Sequence, residues 1–277
     1  NIPALVRLVK TFILREPNAI VANNQLEPVL GIFRSLIANK LNDQYGLDLL
    51  EAIFRSIPGA TLKTYIVPLF TLLITRLTTS KTEKYQQKFI RFLFYAFSIE
   101  KPDLTGDDII AGVDGCQPQP GLFGQMMQGA IAPNIPKVQT KDRRIVAVGL
   151  CDLLCRSPAM LNSPSVACWP ATLEALLKLI ILPQIAPDGH EDDELQLQDL
   201  DESTLGYQAA FSKLGASETT QEDPVKRVAD VRNYLAVEIG NAAKRHPGKI
   251  GPLIDKVSPE FAQPFKAYLQ QTNIAVP

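Results

Sequence analysis

Histidine, tryptophan and cysteine are all scarce in this 277-residue chain, with two, one and four copies. The two histidines, His190 and His246, stand beside no nucleophile motif, so a histidine-based catalytic arrangement has nothing to build on. Cys116, Cys151, Cys155 and Cys168 are too few and too scattered for a disulfide framework, which fits a reducing, intracellular compartment. No phosphate-binding glycine loop, nucleophile elbow or paired Cys-x-x-Cys is present. No apolar run approaches the roughly 18 residues of a membrane helix. The richest, Tyr65 to Leu77, is broken by Pro68, Thr71, Thr75 and Arg76. Excess charge of one sign is missing too: 28 basic against 29 acidic residues leave a net charge of −1. A nucleic-acid binder needs a basic field that this chain lacks. The expectation is a protein that is not an enzyme, with no cofactor, no metal, no nucleic acid and no membrane among its partners.

What is present is helical pattern. With 46% hydrophobic and 21% charged residues the chain has the composition of a globular protein. Apolar residues recur at i, i+3, i+4 and i+7, the spacing that puts them on one helix face. One stripe is Leu26, Val29, Leu30, Phe33, Leu36 and Ile37; a second is Leu50, Ile53, Phe54 and Ile57. Others are Leu62, Ile66, Leu69, Phe70, Leu73 and Leu77, then Tyr85, Phe89, Phe92, Leu93 and Ala96. Further stripes run Phe123, Met126, Met127, Ala130 and Ile131, then Ala147, Leu150, Cys151 and Leu154. The last two are Trp169, Leu173, Leu176, Leu177 and Ile180, and Val228, Val231, Leu235, Ile239 and Ala242. No period-2 strand pattern competes, so the fold class is all-α.

The helices come in pairs. Turns at 40–43, 78–81 and 138–141 are short enough to force antiparallel hairpins. Pro28, Pro68 and Pro170 each stand in what reads as a first helical turn, where the missing N–H costs little. Pro28 and Pro68 lie 40 positions apart, which is the period of HEAT-type α-solenoids, about 40–47 residues. The expected architecture is one solenoid over 1–277, of about five to six helix pairs. It is interrupted by loop insertions at 101–121, rich in Gly, Pro and Asp, and at 183–204. Ser163-Pro164 and Ser258-Pro259 read as N-caps followed by proline at the first helical position. Helical pattern starts within the first few residues of a chain without an initial Met, which reads as a piece of a longer protein.

Candidate sites are few. Cys151 and Cys155 share a helix face but lack a second ligand pair, so burial as small hydrophobes is the simpler reading. Asp188, His190, Asp192 and Glu194 match no EF-hand spacing and read as solvated acid. Trp169 falls where its stripe demands a packed anchor. The charge distribution is more informative: residues 156–223 hold 12 acids against three bases, and 183–204 hold eight acids with no Lys or Arg. Glu191, Asp192, Asp193, Glu194, Asp199, Asp201 and Glu202 are the candidate partner-binding residues. Such an insert is either a solvated loop or a docking tongue for a basic protein surface. Leu195, Leu197 and Leu200 among the acids favour the tongue, because they give it something to bury.

A resemblance sharpens this. Asp201-Glu-Ser-Thr-Leu-Gly206-Tyr207-Gln208-Ala-Ala-Phe211-Ser212-Lys-Leu214, followed by Asp223-Pro224-Val225, resembles the C-terminal region of the importin-α re-exporters, the cellular apoptosis susceptibility family. This family belongs to the importin-β superfamily. Supporting phrases are Leu30-Gly31-Ile-Phe33, Ser80-Lys81-Thr82, Leu122-Phe123-Gly124, Ala147-Val148-Gly149 and His246-Pro247-Gly248-Lys249, in the family's order. The resemblance implies an α-solenoid exportin shuttling between nucleus and cytoplasm. Its partners would be importin-α as cargo, Ran-GTP and nuclear pore proteins, with this chain as the C-terminal arch. The alternatives are another HEAT-repeat scaffold or transport receptor and, on the cysteines, a metal-dependent or thiol enzyme.

Overall fold

Two layers of helices are laid side by side. The computed structural model describes residues 1–80, 82–182 and 223–276. The first part contains α1 (Ile2–Arg15), α2 (Pro17–Ala22), α3 (Leu26–Ile37), α4 (Asp43–Ser56), α5 (Gly59–Lys63), α6 (Ile66–Ser80), α7 (Glu83–Ser98), α8 (Gly106–Asp114) and α9 (Leu122–Met126). A π turn (Met127–Ile131) and a 3-10 turn (Ala132–Lys137) lead to α10 (Thr140–Arg156) and, later, α11 (Trp169–Ile181). Beyond residue 222 come α12 (Val231–Arg245), α13 (Ile250–Ile254) and α14 (Pro259–Gln271). No strand occurs among the described residues; Lys101 and Leu104 make one isolated bridge.

In one layer α1 packs on α4, α4 on α7, α7 on α10 and α10 on α12. In the other, α3 lies on α6 and α6 on α8, while α11 packs on the 3-10 turn, α13 and α14. Hairpin contacts between α3 and α4 and between α6 and α7 join the layers. The period is visible in both members of the pair: α3 and α6 begin 40 residues apart (26 to 66), and so do α4 and α7 (43 to 83). Each element touches only its neighbours in the stack, the defining property of a solenoid.

The stripes form the continuous core. Phe33, Ile53, Phe54, Ile57, Phe70, Leu73, Phe89, Phe92, Leu173 and Leu176 are all fully buried. Phe92 meets Phe54 edge-on with ring centroids 5.1 Å apart and lies 6.3 Å from Phe70. Trp169 is the expected anchor: it is fully buried and its indole N–H donates to the Leu154 carbonyl at 3.2 Å. Pro28, Pro68 and Pro170 all fall in first turns.

Three sequence readings are corrected. Residues 101–121 are not simply a loop: α8 spans Gly106–Asp114. Thr105 and Asp108 form a reciprocal capping box, the Thr105 Oγ1 accepting from the Asp108 N–H and Asp108 Oδ2 accepting from the Thr105 N–H at 2.8 Å. That nucleus and the buried Ile109, Ile110 and Val113 outweigh a Gly/Asp-rich composition. Val228 belongs to the segment before α12, because Asp230 starts that helix by accepting from the Arg232 and Asn233 N–H groups. Ser163-Pro164 is a cis peptide before a 3-10 turn (Ser165–Cys168), not the start of a helix on Pro164. At Ser258-Pro259 proline does open α14, but the cap comes from α11: Glu174 accepts from the Ser258 N–H at 3.2 Å and its hydroxyl at 2.6 Å.

Glycine decides how closely α7 and α10 approach. A Cβ on Gly149 would lie 2.0 Å from the Phe94 carbonyl oxygen, whereas one on Gly31 would meet nothing within 4 Å. Two substitutions of the same kind therefore have opposite outcomes. Gly31→Ala is expected to raise stability by about 0.5–1 kcal/mol through helix propensity. Gly149→Ala is expected to lower it by about 1–3 kcal/mol through overpacking. Phe92→Ala, which empties a fully buried site, is expected to cost about 3–5 kcal/mol. Denaturant titration of the three variants checks the ordering.

Candidate functional site

The seven acids singled out from sequence, Glu191, Asp192, Asp193, Glu194, Asp199, Asp201 and Glu202, lie outside the described residues. So do His190 and the Gly206 to Leu214 phrase. The described site centres on residues 223–230. Residues 223–230 run as a strap against α10, and an ordered set of ion pairs holds them there.

Those pairs belong to a wider series of ion pairs between neighbouring helices. Arg76 on α6 donates to Asp43 at the start of α4 at 2.7 Å. Arg91 on α7 bridges Glu51 on α4 and Asp142 on α10, the latter at 2.6 Å. Arg144, two residues further along α10, binds the Asp223 carboxylate and donates to the Val225 and Val228 carbonyls. At the C-terminal end of α10, Arg156 donates to Glu100 at 2.7 Å and to Glu238 on α12 at 3.0 Å. Arg227 of the strap reaches Asp152 at 2.6 Å and Glu100 at 3.4 Å. Tyr234 on α12 donates its hydroxyl to Asp152 at 2.6 Å, and the Arg156 guanidinium sits 5.7 Å from the Tyr234 ring centroid.

This last cluster has three carboxylates, Glu100, Asp152 and Glu238, to two guanidinium groups. Burial pushes Asp152 up to about 6, against the pull of Tyr234, Arg156 and Arg227. Glu100, more exposed and bonded to Arg156, is held below its ordinary value. Sequence reasoning missed this cluster because its members come from three separate parts of the chain, Glu100, Asp152 with Arg156, and Arg227 to Glu238, on faces that read only as polar. The available signal was local: Asp152 and Arg156 are spaced i, i+4 on one helix.

Cys151 and Cys155 lie in the core on the other side of α10, and burial raises both thiols well above their ordinary range. That environment favours the inert thiol over the thiolate that metals and electrophiles need. Arg245 donates to the Cys155 carbonyl at 2.8 Å, tying α12 to the end of α10.

A raised carboxyl contributes stability below its unfolded value, about 3.9, and loses that contribution as pH rises through its folded value. Asp152 should therefore titrate near pH 6, and stability should fall between about pH 4 and pH 6 on its account. Carbon-13 carboxyl NMR reads the midpoint, and Asp152→Asn should flatten that part of the stability profile.

Comparison with known proteins places this geometry. Residues 1–270 match the family model described as CAS/CSE protein, C-terminus. The importin-alpha re-exporter of Schizosaccharomyces pombe is 34% identical over 269 residues, covering 95% of this chain and 27% of that protein. Exportin-2 of Homo sapiens is 33% identical over 281 residues, covering 100% of this chain and 28% of that protein. The solved structure of the exportin Cse1 in its cargo-free, cytoplasmic state superposes with a TM-score of 0.71 at 25% identity, covering 97% of this chain and 26% of that one. The chain thus spans little more than a quarter of the length of these relatives. Phrases that carried the resemblance have structural reasons here: Gly149 allows the α7–α10 approach, and Gly248 takes φ +73° in the turn after α12. With the match extending over nearly every residue and the helix stack agreeing, the chain belongs to the CAS/CSE exportin family and corresponds to its C-terminal region.

Proposed function

We propose that this chain is the C-terminal arch of a nuclear export receptor that carries importin-α from nucleus to cytoplasm together with Ran-GTP. The observation that carries the reading is the family match over residues 1–270, with relatives named importin-alpha re-exporter and exportin-2 along the whole chain. Neighbour-only packing supports it, because a stack of helix pairs can change curvature around a partner through many small adjustments. GTP hydrolysis belongs to Ran and its activator; this chain supplies a binding surface. The receptor shuttles between the two compartments and meets nuclear pore proteins on the way.

Within that reading, Glu191, Asp192, Asp193, Glu194, Asp199, Asp201 and Glu202 dock on a basic surface of a partner, Ran above all. The motivation is charge: eight acids and no base between residues 183 and 204. A single exposed pair contributes only about 0–1 kcal/mol, so the effect is collective and acts on the rate of encounter.

Full-length receptor, Ran-GTP and importin-α are expected to assemble into one complex by size-exclusion chromatography; failure of the parent protein to do so overturns the export reading. Replacing Glu191, Asp192, Asp193 and Glu194 together with Ser should slow association most at low ionic strength, where screening is weakest. Equal association rates for variant and parent at low salt would reduce this segment to a solvated loop and leave the export reading standing.

A further inference from the structure

We propose that residues 223–228 are a releasable latch, which leaves α10 as a unit while α10 and α12 stay folded. The inference concerns a conformational device of this chain and does not depend on which partner the receptor carries.

The first observation is how the strap is buried. Val225 and Val228 pack on Val148 of α10 in a small cluster of their own, separate from the continuous core. All three are almost completely shielded, at 0%, 2% and 0% exposure for Val225, Val228 and Val148. A satellite cluster under a surface segment has its own, smaller cohesion. Beside it, α12 is built into the main core through Leu235, Ala236 and Ile239, all fully buried. Ile145 of α10 and Val231 and Tyr234 of α12 border both clusters, so the two meet through partly buried residues of those helices.

The second observation is what the backbone of the strap binds. The Val225 N–H donates to Asp223 Oδ1 at 2.9 Å, the Lys226 N–H to the Asp223 carbonyl at 3.3 Å, and the Val228 N–H to the Val225 carbonyl at 2.9 Å. These bonds close within the strap itself. Attachment to the neighbouring helices runs through side chains, chiefly two arginines. Arg144 grips the Asp223 carboxylate and two strap carbonyls, and Arg227 reaches back to Asp152 and Glu100. Opening therefore breaks no helical ladder bond.

The third observation is the solvent access of the ionic half of the latch. Asp223 is 38% exposed and Glu100 is 59% exposed, so dissolved ions reach the Arg144–Asp223 and Arg227–Glu100 pairs, whereas the Arg227–Asp152 pair is more enclosed, with Asp152 at 6%. The screening length falls from about 10 Å at 0.1 M salt to about 3 Å at 1 M, which weakens exposed pairs and leaves a buried apolar core intact. Regions with few apolar contacts and accessible polar attachments are the ones that open locally at low cost. Opening frees Arg144, uncovers Val148 beside Ile145, and lets six residues extend over about 20–22 Å, at about 3.3–3.6 Å per residue.

Hydrogen exchange of the full-length protein, followed by mass spectrometry over residues 223–230, α10 and α12, tests this. Raising NaCl from about 0.05 M to about 1 M is expected to speed exchange in the strap several-fold, with α10 and α12 unchanged. Arg144→Gln should speed strap exchange about tenfold or more at low salt and abolish most of the salt response, with the melting temperature held to within about 2 °C. Val228→Ala should also speed strap exchange but keep the salt response, because it loosens only the apolar half. Exchange rising equally in α12 would make the strap part of the core, and a strap indifferent to both salt and Arg144→Gln would leave no ionic latch; either result overturns the proposal.

Discussion

The contact between α7 and α10 is the constraint on which the rest of this fold depends. From Phe89 to Ser98, α7 is buried on nearly every side, so it must have helices around it. Gly149 removes the one Cβ that would strike the Phe94 carbonyl, and the two axes close on each other there. That close approach brings Phe92 against Phe54 and Phe70 on one side of α7 and Cys151 into the core on the other. It also sets the span over which Arg91 bridges Glu51 and Asp142 across three consecutive helices of the layer. A wider gap would leave the buried Asp142 without its Arg91 partner, which is the expensive outcome for buried ions.

Charge is used differently at the two ends of α10. Near its start, Arg144 has one carboxylate partner and spends its remaining donors on carbonyls of the strap. Near its end, three carboxylates share two guanidinium groups, and burial raises the pKa of Asp152. The first arrangement is partly open to solvent; the second encloses Asp152 and joins α10, α12 and Arg227 of the strap. A stack of helix pairs is held by such contacts between near neighbours, so each end of α10 answers to the elements beside it.

Much of the fold was legible because solenoid packing is local. A helix pair buries its apolar stripes against the adjacent pair, so a period of 40 in the stripes is directly a period in space, as the starts of α3, α4, α6 and α7 show. Where reading went astray, composition had been weighed above chemistry. The Gly/Asp-rich 101–121 stretch hides α8, whose Thr105–Asp108 capping box is written in the sequence but carries an Asp where Glu or Gln is usual. Val228 matched the helical spacing of α12, yet Asp230 caps that helix two residues later and leaves Val228 to the strap.

The sequence by itself determined the helical class, the pairing of helices, the core stripes and, through its family phrases, membership of an exportin family; each depends on residues close together in the chain or on order along it. Only the tertiary structure decided which polar residues meet. Arg227 finds Asp152 across 75 positions, and Arg144 finds Asp223 across 79. The polar side of a helix carries no periodic signature of its partner, because a single ion pair needs only two side chains that the fold happens to bring within about 3 Å.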